Sequence, residues 1–114
     1  MKTAFKDRPR VFAVKGHAVK DLGKIILEPG EMVSFVTPSG KECDFTAKKW
    51  GFYLGPSLNS RLKKEGFKAA LAVNEKGQLY VLAVEPEKMH LFKRYLTANQ
   101  EIKVLTWLDE WIAA

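Results

Sequence analysis

Two histidines, one cysteine and thirteen carboxylates are the groups in this 114-residue chain that could do acid–base, nucleophilic or metal chemistry. Their spacing does not assemble them. A nucleophilic cysteine needs a base within reach and a cation or helix terminus to hold its pKa down. Cys43 alternates with Phe45 on the apolar side of a strand pattern, and nothing in the spacing brings His17 or His90 to it. It reads as a buried structural cysteine. A zinc site needs three or four closely spaced ligands, so these residues predict no metal and no cofactor. Glu42 and Asp44 share the wet side of the same strand, but with Lys41, Lys48 and Lys49 beside them they read as a solvated, screened pair. Glu85 and Glu87 flank Pro86, where negative charge stabilises a helix start. His90 stands four residues before Arg94 on the polar side of a helix. His17, in a turn-like segment between Gly16 and Ala18, would need a carboxylate in a shared cleft to act, and this is the one enzyme reading the chain offers. A non-catalytic protein is the stronger expectation.

Binding chemistry is better represented, in the stretch from Asp44 to Lys64. Trp50, Phe52 and Tyr53 could stack on a ring, and Lys48, Lys49, Arg61, Lys63 and Lys64 add five cations. Gly55-Pro56 breaks the stretch, and Ser57 is a good N-cap for a helix over 57–65. Ser57, Asn59, Ser60 and Arg61 would then surround a helix N-terminus, where free N–H groups favour phosphate or carboxylate. The candidate ligand-binding residues are Trp50, Tyr53, Ser57, Asn59, Ser60, Arg61 and Lys64. The P-loop's glycine spacing is missing. Cations beside aromatics also suit single-stranded nucleic acid, although the RNA-recognition aromatic signature is absent. Strand alternation sets Trp50 and Phe52 on one side and Tyr53 on the other, so one set is expected to face the core.

The elements that must position these residues follow from turn signals and periodicity. Residues 1–9 read as a flexible basic arm, and residues 10–114 as one domain. Short strands between glycine and proline turns, at 11–14, 17–22, 24–27, 31–37 and 41–46, predict a curved, half-barrel-like antiparallel sheet. Thr37-Pro38-Ser39-Gly40 suits a type I turn. Segments 67–73 and 78–84 flank a glycine loop and are apolar on both faces, as central strands covered on each side would be. Met89, Phe92 and Leu96 form the apolar stripe of a helix that Asn99 can stop. A strand at 102–107 completes a ββαβ unit whose last crossover is expected to be parallel. The fold class is α+β.

Composition sets the frame. The chain is long enough for one core without disulfide or metal, and 46% hydrophobic with 28% charged residues is ordinary globular usage. No apolar run reaches a membrane span, and residues 1–10 lack the apolar segment of a secretory signal, so a soluble, cytoplasmic protein is expected. The net charge of +6 is uneven: residues 1–74 hold 14 Lys/Arg against 7 Asp/Glu, while residues 75–114 hold 5 against 6. That asymmetry suits an anionic small molecule, an acidic protein or, less well, nucleic acid. Fifteen of the nineteen cations are lysines, and a tightly held anion is more often gripped by arginine. Trp107 and Trp111 in the apolar tail 108–114 could close over the sheet or pair two copies as a homodimer. The reading is a small binding or accessory domain that takes an anionic ligand or partner at residues 48–64.

Overall fold

The structure, a computed structural model, describes residues 1–14, 16–99 and 101–111. It is α+β and antiparallel in every strand pair. The first two strands, β1 (Lys2–Val14) and β2 (His17–Ile26), pair only with each other in a long ribbon. Residues 1–9, expected as an arm, run as strand from Lys2. They are held by backbone pairing such as Lys2 with Ile26 and Phe5 with Gly23. The register slips between Phe5 and Arg10, where Pro9 lies, and a bulge is where a strand tolerates a residue with no N–H.

Strands β3 (Met32–Val36), β4 (Glu42–Lys48) and β5 (Gly51–Leu54) form a second antiparallel sheet in that order. The Thr37–Gly40 turn forms as its residues predict, with the Gly40 amide donating to the Thr37 carbonyl at 2.8 Å. Register gives this sheet two unlike faces. Val33, Phe45 and Leu54 stand opposite one another, as do Ala47 and Phe52, so one face is apolar. The other carries Asp44, Thr46, Lys48 and Tyr53.

Helix α1 spans only Arg61–Lys64, against the expected 57–65, because residues 57–60 form a turn that leads into it. Its Leu62 packs with Phe67 and Ala69 in the buried cluster, and Cys43, Leu58 and Leu108 lie against them. The last sheet orders β6 (Lys68–Val73) between β7 (Leu79–Val84) and β8 (Lys103–Trp107). Strands β7 and β8 both run antiparallel to β6, hence parallel to each other, and the crossover through α2 (Met89–Asn99) joins them. Met89, Phe92 and Leu96 are the half-buried stripe of α2, while His90 and Arg94 are exposed as expected. Ala70 and Ala72, both fully buried, share a face of the sheet with Trp107, whose ring meets Phe92 of α2 at 5.9 Å. Small side chains there let the helix approach closely.

In this last sheet β6 is the central strand. β7 is an edge, and Leu79, Tyr80 and Val81 are exposed, which corrects the expectation that both strands are covered on each side. The crossover carries β8 past β7 to the far side of β6, so β7 keeps one open edge and one open face. Among the described residues no helix is long and apolar enough to cross a membrane. The tail is described as far as Trp111: residues 108–110 form turns, and Ile112–Ala114 lie outside the described residues.

Candidate binding surface

β5 carries the aromatic part of the surface. It is an edge strand of four residues following the Lys49–Trp50 turn, and its outer backbone groups have no partner strand among the described residues. Trp50 is 73% exposed, Phe52 54%, Tyr53 51% and Leu54 68%. The expectation that one alternating set would face the core therefore fails. A three-stranded sheet with neither face covered at its edge leaves both sets in solvent.

Residues of this strand line three cavities, two of which hold the candidate residues. On the polar face, about 360 Å³ is enclosed by Asp44, Thr46, Lys48, Tyr53, Ser57 and Arg61. The Lys48 ammonium lies 6.0 Å from the centre of the Tyr53 ring. The Arg61 guanidinium is ion-paired with Asp44, whose side chain is only 12% exposed. A buried carboxylate needs such a partner, and the pairing offsets much of the positive charge that Arg61 would offer a ligand. The Ser57 hydroxyl accepts from the Arg61 amide at 2.9 Å across the turn before the helix, whose N-cap is Ser60 rather than the expected Ser57. A single turn has little macrodipole, so α1 offers an anion less than the expected helix over 57–65 would.

The second cavity, about 530 Å³, is apolar. Trp50, Phe52, Leu54 and Leu58 line one side, with Val81 and Leu108 from the last sheet and its tail across from them. Gly55 turns the chain between the two cavities. Its φ of +84° and a 3.3 Å approach of the Cys43 sulfur to where a Cβ would stand both select glycine.

Of the seven residues singled out by sequence, Trp50, Tyr53, Ser57 and Arg61 line these cavities, and Asn59, Ser60 and Lys64 are exposed beyond them. Lys48 and Leu54 were missed as members, although strand alternation from Trp50 through Phe52 signals Leu54. Asp44 as the partner of Arg61, and Val81 and Leu108 across the groove, come from distant elements and leave no signal in spacing.

The chemical groups remain apart. Cys43 packs on the Leu62 cluster, and burial raises its thiol pKa more than the nearby Arg61 lowers it, so the protonated form prevails. The His17 ring meets Tyr95 at 5.2 Å with the two planes tilted by 46°, and it lines neither cavity. No group of three or more His, Cys, Asp and Glu that could hold a metal exists among the described residues. Glu85 and Glu87 start a 3-10 turn, with Glu85 accepting from the Ser39 hydroxyl and paired with Lys88 at 3.3 Å. Trp107 is half-buried against α2 and Trp111 is exposed, so the two do not form one ridge. No family model matches the chain, and comparison with curated proteins and with solved structures returns no match either.

Proposed function

We propose that the protein is a non-catalytic binding or accessory domain whose 48–64 segment docks an acidic protein partner. The carrying observation is the exposure of Trp50, Phe52, Tyr53 and Leu54 on an unpaired strand edge between a charged cavity and an apolar one. An extended partner segment can add to such an edge through main-chain hydrogen bonds, with alternate side chains entering the flanking cavities. Its apolar residues suit the Trp50–Leu108 groove, and its carboxylates suit Lys48, Lys49 and the free side of the Arg61 guanidinium. A small free anion is less well served, because Asp44 already occupies Arg61.

NMR titration tests this with an extended peptide alternating glutamate and leucine, its lysine counterpart, nucleotides, sugar phosphates and an anionic glycan. The glutamate peptide is expected to shift amides of residues 50–61, and Trp50→Ala to weaken it about tenfold or more, as for a buried aromatic anchor. No shifts in 50–61 with any probe would overturn the reading. Single-stranded DNA binding with a steep loss of affinity on adding salt would replace it with the nucleic-acid reading.

A further inference from the structure

The molecule exposes far more surface than its mass requires. A folded monomer of 12.9 kDa is expected to expose about 6,300 Å². This chain exposes 8525 Å², an excess of about 2,200 Å². Its radius of gyration is 15.7 Å, where about 13 Å is expected for this length. Nearly every residue of the β1–β2 ribbon is exposed, and a two-stranded element of this kind is marginal in water without a third layer.

The ribbon has an inner and an outer face. Pairing sets Phe12 opposite Val19, Val14 opposite His17 and Arg10 opposite Asp21, and beyond the bulge Phe5 opposite Gly23 on the same side as Ile25. The opposite side carries Lys2, Lys20 and Lys24 beside exposed Val11 and Ile26. The inner face is therefore largely apolar, and its Asp21 pairs with both Lys6 at 2.9 Å and Arg10 at 3.7 Å. It turns towards the body: Ile25 lines an apolar cavity of about 260 Å³ with Val33, Phe35, Phe45 and Phe52, and His17 meets Tyr95 of α2. Yet Phe5, Phe12, Val14, Val19 and Phe35 are all exposed. Apolar surfaces face one another here without closing.

We propose that a second copy of this chain fills this gap, in a two-fold dimer in which each ribbon lies over its partner's apolar β3–β5 face. The chain carries both halves of such an interface, which is the condition for a closed isologous pair. Burying the excess on both subunits would remove about 4,400 Å² in total, within the range of permanent homodimers and of their apolar character. Charge selects the arrangement. Residues 1–27 hold seven Lys/Arg against two Asp/Glu, and residues 28–114 hold twelve against eleven. Ribbon against ribbon would oppose two strongly basic segments, whereas ribbon over body sets a basic segment on a nearly neutral one. Phe52 and Leu54 line both this face and the groove at residues 48–64, whereas Trp50 lines only the groove, so a Trp50 variant tests the groove by itself.

Light scattering after size exclusion, on the full chain over a series of concentrations and salt, is the test. The expected mass is twice that of the chain, and salt is expected to leave the dimer intact or tighten it, since screening relieves the residual repulsion between basic subunits. Phe12→Glu on the ribbon and Phe35→Glu on the sheet should each weaken dimerisation about a hundredfold, the scale of losing a buried aromatic contact. Isotope-filtered NOEs on a mixed-label sample should join Val19 methyls of one copy to the Phe45 ring of the other, which needs no variant to fold. Trp50→Ala should leave the mass unchanged, so failure of the 48–64 reading and failure of the dimer are separate results. A monomer at every concentration, a dimer that dissociates as salt rises, a dimer that Trp111→Ala breaks while Phe12→Glu spares it, or ribbon shifts from the glutamate peptide in a monomer would each overturn the proposal.

Discussion

Asp109 shows how single residues hold this fold together. Its side chain is fully enclosed, accepts from the Ala69 amide at 3.0 Å and lies 3.1 Å from the Lys68 ammonium. Burial alone would raise its pKa, but the Ala69 amide and Lys68 outweigh burial and hold it below the ordinary 3.8. A carboxyl depressed in the folded state contributes stability above its unfolded pKa, and that contribution is lost as pH falls through the folded value. Asp109→Asn is expected to cost about 2–4 kcal/mol at neutral pH, as for breaking a buried charged hydrogen-bond pair. It should also flatten the loss of stability below about pH 4. Urea midpoints of both proteins between neutral and strongly acidic pH measure this, and equal slopes in acid would refute it. Lys68 shows the opposite sign: its bond to Glu110 raises its pKa above 10.5, so its contribution is lost as pH rises through the folded value. None of this was legible in the sequence. Asp109 and Glu110 sit about forty residues from Lys68, in what reads only as an apolar tail.

Elements were legible where local rules decide them. The Pro38–Gly40 turn and the Met89–Leu96 stripe appear where the residues predict, because turn chemistry and periodicity act over a few positions, whereas Asp44, expected solvated on the wet side of β4, is buried against Arg61. The ribbon was misread because its signals conflict: Pro9 and Gly23 look like breaks, yet they are the two sides of one bulge. Gly23 has a φ of +124°, and a Cβ there would collide with the Ala4 carbonyl oxygen and the Phe5 Cα. The Asp21 carboxylate fixes the same point by accepting from the Gly23 amide at 3.0 Å and from Lys6 at 2.9 Å. Gly23→Ala should therefore destabilise the ribbon by about 1–3 kcal/mol through backbone strain. Hydrogen exchange of amides in β1 and β2 should rise while β6 keeps its protection; unchanged exchange in the ribbon would refute the bulge as its pinning point. The candidate site was legible to a similar degree. Trp50, Tyr53, Ser57 and Arg61 do meet at one joint, but the Asp44 pair and the opposite wall of the groove are tertiary facts that no spacing encodes.

At the scale of the whole molecule the well-packed part is small. The fully buried positions gather around β6 and the Leu62–Phe67 cluster, no large side chain among the described residues is completely buried, and the ribbon and the β3–β5 sheet keep apolar faces open. Sequence composition cannot reveal this, since it fixes how much apolar surface exists and says nothing of how much is left uncovered. An arrangement of this kind ties stability to whatever covers those faces. With a second copy as the cover, the unfolding equilibrium includes dissociation, so tenfold more protein adds about 1.4 kcal/mol of apparent stability. For a unit of two such chains this corresponds to a Tm rise of about 3–6 °C per decade of concentration. Calorimetry across two decades is expected to show that rise for the unmodified chain and for Trp50→Ala, and a flat, lower Tm for Phe12→Glu. A Tm independent of concentration in the unmodified chain would mean that the open faces are stable in water as they stand.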